Sequence, residues 1–343
     1  MRIVVADSTR SQAWDAFVAG QAGAGPYHAW AWLEAVRRAY GFQVFPLLAL
    51  RDGAVAGLLP LVRLRLPGLR GRLVSLPYCD WAGPLAAEAD VRQGLLDQAL
   101  DLAASLGATG LEIREQAADA GASAKVLMRL ALPDGAERLM ASFPAKLRSQ
   151  IRKPSRDGLT ARTGGLELLE AFYKVFSRNM RDLGSPTHSL AWFRAVLAGF
   201  GGRARITVVF LPDGTPAAGA VTLAQGRNIA VPWASSLRRH NRHSPNMLLY
   251  WTLFSQAAEE GRQMFDMGRS TRGEGTYRFK EQWGAREVGL SWQRFDASTR
   301  QRRPALTNSG PGRPRQLLAA CWRRLPVGLA NDMGTLLRRY ISL

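Results

Sequence analysis

Short apolar runs, turn-forming clusters and stretches of helical period follow one another along this chain, and their order occurs twice. In the second half Arg205–Leu211 reads as a strand and Pro212–Thr215 as a turn. Ala217–Gln225 reads as a second strand, Gly226-Arg227 as another turn, and Asn228–Ser235 as a third strand. A basic loop leads into a predicted helix over Asn246–Glu260, followed by the strand Met264–Met267. In the first half Val44–Leu50, Ala54–Arg63 and Leu73–Leu76 read as strands, Val91–Leu106 as a helix and Gly110–Arg114 as a strand. A predicted helix precedes each set, over Ala29–Tyr40 and Leu190–Leu197. Helix, three-strand meander, helix, strand, occurring twice, predicts duplication of one α+β unit. The two halves share little sequence, so the prediction rests on element order.

The basic run Phe143–Arg156, punctuated by Pro154 and Gly158, marks the junction. The expected division is 1–145, 146–300 and a tail over 301–343. Pro304, Pro311, Gly312 and Pro314 mark the start of that tail as a linker. Its two apolar-basic pieces, Leu317–Arg324 and Met333–Ile341, are separated by Pro326 and Gly328. The tail holds eight Arg and one Asp, together with Trp322 and Tyr340. Such segments lie on an anionic membrane surface or pack on the protein with one solvated side.

Composition narrows the function. At 343 residues and 47% hydrophobic content the chain can build two cores. No stretch approaches the ~20 apolar residues of a membrane span, and the N-terminus lacks the apolar core of a secretory signal. The expected location is cytoplasmic, with peripheral contact at the inner membrane through the tail. Two cysteines, Cys79 and Cys321, with no CxxC argue against a disulfide framework or a zinc-thiolate site. The net charge of +19 favours an anionic partner, although an Arg-rich, Lys-poor bias can also come from genome composition. Because Lys is rare, Lys146, Lys153 and Lys280 stand out.

The densest candidate chemistry follows the strand Met264–Met267. Gly268-Arg269-Ser270-Thr271 reads as a turn, and Gly275–Lys280 as a polar loop presenting Thr276, Tyr277, Arg278 and Lys280 with Phe279 between them. A second candidate is the loop Ser236–His243, with Arg238 and Arg239, entering a helix through Ser244, Pro245 and Asn246. Ser244 suits an N-cap and Pro245 the first turn, and a helix N-terminus behind basic side chains suits a phosphate. In the first half Tyr78, Asp80 and Trp81 place aromatic faces beside an acid, which suits a sugar or peptide acceptor or, equally, a tight turn. Arg181 and Asn179 end a predicted helix, either in a cleft or as a C-terminal cap at Gly184. The four histidines, among them His240 and His243, lack companion ligands, so no metal is expected. No Walker loop, GxGxxG or GxSxG occurs, which argues against nucleotide hydrolysis, dinucleotide redox chemistry and serine hydrolysis.

These pieces resemble a known family. The element order, with a basic loop before the second helix, resembles the GNAT acyltransferase fold. Two units in tandem resemble the FemAB family and its BioF2-like acetyltransferase relatives. Asn179–Pro186, Gly268–Thr271 and Gly275–Ala285 resemble the FemAB-related proteins of PEP-CTERM/exosortase exopolysaccharide loci. The resemblance covers about residues 25–300. It implies a mixed α/β (α+β) fold of two tandem GNAT-like (acyl-CoA N-acyltransferase-like) domains with a basic C-terminal extension. It further implies transfer of an acyl or aminoacyl group from acyl-CoA or aminoacyl-tRNA, with no permanently bound cofactor. The acceptor would be an amine or hydroxyl of an envelope or polysaccharide precursor. The family's Phe-Lys pair matches Phe279-Lys280, while the Gln/Arg-x-x-Gly-x-Gly/Ala phosphate loop is missing from Arg239–Met247.

The expected mechanism is direct attack of the acceptor on the donor carbonyl. Lys280 is expected to contact the donor phosphate or oxyanion, Tyr277 to donate a proton to the leaving group, and Asp266 to orient Arg269 or relay a proton. Arg238, Arg239, Ser244, Asn246, Arg269, Ser270 and Phe279 are the expected donor contacts. Tyr78, Asp80, Trp81 and Arg181 are the expected acceptor contacts. The alternative is a non-catalytic RNA- or membrane-surface module on a degenerate GNAT fold.

Overall fold

A computed structural model describes residues 1–65, 68–117, 119, 121, 123–304 and 313–342. The first half runs β1 (Arg2–Val5), α1 (Ser11–Gly20), α2 (Trp30–Tyr40), β2 (Val44–Arg51), β3 (Ala54–Leu64), β4 (Arg72–Val74), β5 (Leu85–Ala86), α3 (Ala89–Ser105), β6 (Gly110–Ala117) and β7 (Lys125–Ala131). The second half opens with α4 (Ala136–Ser142), α5 (Ala145–Arg156), β8 (Thr160–Gly164), α6 (Leu169–Leu183) and α7 (Leu190–Phe200). It continues through β9 (Ala204–Phe210), β10 (Pro216–Gln225), β11 (Asn228–Ser236), α8 (Pro245–Glu259), β12 (Met264–Thr271), α9 (Gly275–Glu281) and β13 (Arg286–Asp296). The tail holds β14 (Arg302–Pro304), α10 (Arg313–Arg323) and α11 (Val327–Arg338). The linker residues Pro311 and Gly312 lie outside the described residues.

Both predicted meanders form, and the helices before them have local reasons to start and stop. Gly41 at φ +68 ends α2, and Gly184 at φ +77 ends α6, a backbone state that only glycine adopts without strain. Ser189 starts α7 by accepting from Trp192 N at 3.1 Å. Ser244 stands before α8 with φ +53, but its side chain makes no cap, so the expected capping contact is absent. Arg238–His243 forms a 3₁₀ turn rather than an open loop.

One continuous sheet carries both halves, in the order β1-β2-β3-β4-β6-β13-β7-β12-β11-β10-β9-β8. The middle of that order departs from chain order. β13, from the end of the second half, inserts between β6 and β7, antiparallel to both, through pairs such as Trp292↔Arg114 and Val288↔Leu127. β7, which precedes α4, pairs with β12. Each half therefore contributes a strand to its neighbour's part of the sheet, and the two halves share their central backbone hydrogen bonds. Helix α2 packs on α7 across the same seam, where Trp32 lies 5.4 Å from Trp192 and stacks on Trp233 at 5.7 Å.

Two predicted segments change form. Gly268–Thr271 is not a turn but the continuation of β12, because β7 supplies partners through Arg269↔Leu127, Ser270↔Val126 and Thr271↔Lys125. The glycine takes up a bulge between Asp266 and Arg269 at φ +74. Gly275–Glu281 is not a loop but helix α9, whose Phe279 packs 5.0 Å from Tyr250. The basic junction run becomes α5, burying Leu147, Ile151 and Pro154 under its charged face. Strands β7 and β13 escaped the sequence reading, since their partners lie in the other half.

Candidate active site

The parallel strands β11 and β12 pair only over Asn228↔Met264, Ile229↔Phe265 and Ala230↔Asp266. Beyond that point β11 runs on to Ser236 and β12 to Thr271 without pairing each other, which opens a wedge in the sheet. The β12 bulge lies along the wedge and is held from three sides. Asp266 Oδ1 accepts from Gly268 N at 2.8 Å, an acidic side chain closing a turn on its own backbone. Lys280, on α9 and only 7% exposed, donates Nζ to Gly268 O at 2.9 Å and to Arg269 O at 3.1 Å. Arg269 N donates to Asp80 Oδ2 at 3.1 Å, so the first half reaches across to the bulge.

Around it the two halves interlock through aromatic rings and charge. Arg269 Nε lies 3.4 Å from Asp80 Oδ1, and its guanidinium stands 5.3 Å over the Trp292 ring. Trp292 Nε1 donates to Asp80 O at 2.8 Å. Trp81 Nε1 donates to Asp266 Oδ2 at 3.1 Å, and Arg129 Nη2 lies 3.7 Å from the same carboxylate. Asp80, not Asp266, therefore orients Arg269, which corrects the expected pairing. Burial raises the Asp266 pKa against the pull of Arg129, and burial lowers that of Lys280 to about 8 against the pull of Asp80 and Asp266.

The other expected site residues divide into three groups. Asp80, Trp81, Asp266, Arg269 and Lys280 come together at the bulge. Ser270 is buried beside them, its hydroxyl without a hydrogen-bond partner among the described residues. Tyr277 lies one turn before Lys280 on α9. Its hydroxyl is 3.5 Å from Glu281, and hydrogen bonding to Glu287 raises its pKa to about 12. Arg238, Arg239, Ser244 and Asn246 gather where β11 leads into α8.

The remaining three serve packing. Phe279 fills the core with Tyr250 and Trp283. Tyr78 is covered by the tail: its N–H donates to Ser342 O and its hydroxyl to Arg339 O. Arg181 donates to Arg323 O and Leu325 O, anchoring the turn between α10 and α11 instead of lining a cleft. Sequence reasoning missed Arg129, Trp292 and Arg114; the first two act through strand exchange, which local pattern does not report.

The first half has the equivalent opening, between β4 and β6, which pair in parallel at Leu73↔Leu111 and Val74↔Glu112. Here it is plugged. Arg114, fully buried, makes a 2.7 Å ion pair with Glu112 and donates to Leu76 O, Cys79 O and Ser342 O. A cavity of about 570 Å³ lies at the sheet edge by β8 and α7 and shares no residue with the bulge cluster. No group of three or more ligating side chains that could hold a metal occurs among the described residues.

Residues 141–281 match the family model described as the acetyltransferase (GNAT) domain. The whole chain has the fold of tandem GNAT proteins. FemX superposes with a TM-score of 0.66 at 16% identity, over 84% of this chain and 96% of that one. L-PGS from Bacillus licheniformis superposes at 0.56 with 14% identity, over 93% and 98%. A tandem GNAT protein from the clavulanic acid biosynthesis pathway superposes at 0.55 with 13% identity, over 88% and 99%. No curated protein matches the sequence.

Proposed function

We propose that the protein transfers an acyl or aminoacyl group from acyl-CoA or aminoacyl-tRNA to an amine or hydroxyl of a cell-envelope or exopolysaccharide precursor. The observation that carries this reading is the β11–β12 wedge with its clamped bulge, inside the segment that matches the GNAT domain. Strand edges left without a partner offer backbone N–H and C=O groups to an extended donor, as any open strand edge does. Arg238, Arg239 and the start of α8 supply positive charge for the donor's phosphates. The domain division at 145/146 and 300/301 belongs to the same reading, and so does peripheral contact of the tail with an inner membrane.

In this mechanism the acceptor attacks the donor carbonyl directly, with no covalent enzyme intermediate. The C–O or C–S bond to the donor breaks as the new bond to the acceptor forms. Most of the rate comes from alignment and from stabilising the oxyanion. Lys280 has three protons and spends two on Gly268 O and Arg269 O; we assign the third to the oxyanion. Tyr277 keeps its proton at neutral pH and delivers it to the leaving group, and the proton that the acceptor amine or hydroxyl loses on attack restores the Tyr277 hydroxyl. Asp80 positions Arg269 for the donor.

Binding of the purified protein to charged tRNA and to acyl-CoA across a salt series tests the reading. Charged-tRNA binding that outlasts uncharged-tRNA binding near physiological salt selects aminoacyl transfer, since pure charge attraction fades steeply with salt. Saturable acyl-CoA binding selects acyl transfer. If neither ligand binds specifically, the proposed donor site is wrong.

A further inference from the structure

The tail has two faces, and they differ sharply. Its inner face is fixed to both halves. On α11, Ala330, Gly334 and Arg338 are buried, and a Cβ on Gly334 would stand 2.9 Å from Thr187 N. Arg338 Nε donates to His188 Nε2 at 3.1 Å, and Arg339 Nη2 donates to Tyr40 O at 2.8 Å. On α10, Ala319 packs so closely on the end of α6 that a Cβ on Gly184 would lie 2.8 Å from its Cβ. The tail is thus seated on the body.

Its outer face carries the largest group of exposed aliphatic side chains among the described residues. Leu317 and Leu318 are 69% and 71% exposed on α10, and Leu336 is 67% exposed on α11. Leu329, Met333 and Leu337 are also exposed, and with Leu336 they recur at helical spacing. By helical spacing Leu329 and Leu336 face away from the docked Ala330, Gly334 and Arg338, so packing on the body does not account for them.

The surrounding charge is mainly positive, with exposed Asp332 as the one acid of α11. Exposed Arg323 and Arg324 sit at the turn between the two helices. A cavity of about 390 Å³ lies on the inner flank of α11, lined by Tyr173, Leu237 and Val327 with Lys174, Arg178 and Arg239. None of these five cations has a carboxylate partner among the described residues. A helix about 10 Å across, immersed by its outer face, holds its inner flank at the depth of lipid phosphates.

We propose that the outer face of α10 and α11 docks on an anionic phospholipid bilayer. The leucines enter the acyl region, while Arg323 and Arg324 at the turn and Lys174 and Arg178 along the inner flank meet the headgroup phosphates. The proposal gives residues and a lipid class to the peripheral contact in the reading above. It does not depend on which donor is used.

Flotation of the full chain with vesicles tests it, comparing phosphatidylcholine alone with phosphatidylcholine containing phosphatidylglycerol. Expected is binding to the anionic vesicles that weakens as salt rises, with little binding to the neutral ones. Leu336→Ser with Leu337→Ser should weaken anionic-vesicle binding by at least about tenfold. Leu329→Ser with Met333→Ser should act in the same direction. All four residues are exposed, and unchanged circular dichroism confirms that the variants fold. Arg323→Gln with Arg324→Gln should weaken binding and flatten its salt dependence. Failure to bind anionic vesicles, or unchanged binding by both apolar variants, overturns the proposal. Donor binding by the same preparations separates that failure from a failure of the transferase reading.

Discussion

The sheet opens twice at equivalent places, and the two openings have been put to opposite uses. Between β4 and β6 the gap is filled by the protein itself: the loop at Leu76 and Cys79, the Glu112–Arg114 pair and the backbone of Ser342. Between β11 and β12 the chain supplies a clamped bulge, with backbone edges beyond Ala230 that the strands do not share. Equal topology does not confer equal function. A buried Arg that needs five acceptors consumes the first opening. In the second, Lys280 and Asp80 hold Gly268 and Arg269 of β12, and β11 beyond Ala230 is not paired with it.

The sharpest break in this comparison comes from the plug. Glu112 is almost fully buried; burial pushes its pKa up, but Arg114, helped by Arg294, outweighs that and holds it below the usual carboxylate value. Glu112→Ala leaves Arg114 buried without its anion and should cost about 3–5 kcal/mol of stability in denaturant unfolding. Donor affinity of the folded fraction should stay unchanged. A loss of affinity equal to that of a wedge variant would make the first opening part of the site.

Lys280→Met reverses the pattern. Turnover should fall by about 10²–10³-fold, as when an oxyanion donor is removed. Stability should fall by about 1–3 kcal/mol, for the hydrogen bonds lost to Gly268 O and Arg269 O. The lysine also sets a pH dependence. Because burial lowers its pKa to about 8, kcat should decline as pH rises through that value and the ammonium loses its proton. Stability runs the other way. Between about pH 8 and the unfolded-state value, the unfolded chain binds more protons, so this group's contribution to stability improves as pH rises. A flat rate profile through pH 8 removes Lys280 from the chemistry.

Tyr277→Phe is expected to reduce kcat by about 10²-fold with little effect on KM, the usual range for a general acid. A loss under tenfold would leave its bonds to Glu281 and Glu287 as its whole role. The smallest change is Arg181→Ala. It should lower stability by about 1 kcal/mol through the tail carbonyls it holds, with turnover unchanged. An effect on turnover would return Arg181 to the acceptor side of the wedge.

Much of this molecule was legible before folding was considered. The two meanders, the helices α2, α3, α7 and α8, and the grouping of Asp266, Arg269 and Lys280 near one strand end follow from apolar period, turn chemistry and the rarity of lysine. These are local properties, set by neighbours within a few positions. The form of Gly268–Thr271 and Gly275–Glu281 was not local. A Gly-Arg-Ser-Thr sequence reads as a turn until a strand some 140 residues away gives it partners, and α9 gains its buried face only against β12, β7 and α8.

The assignment of Tyr78 and Arg181 failed for the same reason. Their polar neighbours suggested a cleft, and the tail covers both. Sequence by itself determined that the chain makes a duplicated α+β unit with a basic, apolar-striped tail. Only tertiary structure decided that β7 and β13 cross between the halves and that Asp80 rather than Asp266 holds Arg269. It alone decided which opening was filled. Long-range strand pairing and the satisfaction of buried charge depend on which groups meet in space, and no window along the chain contains both partners.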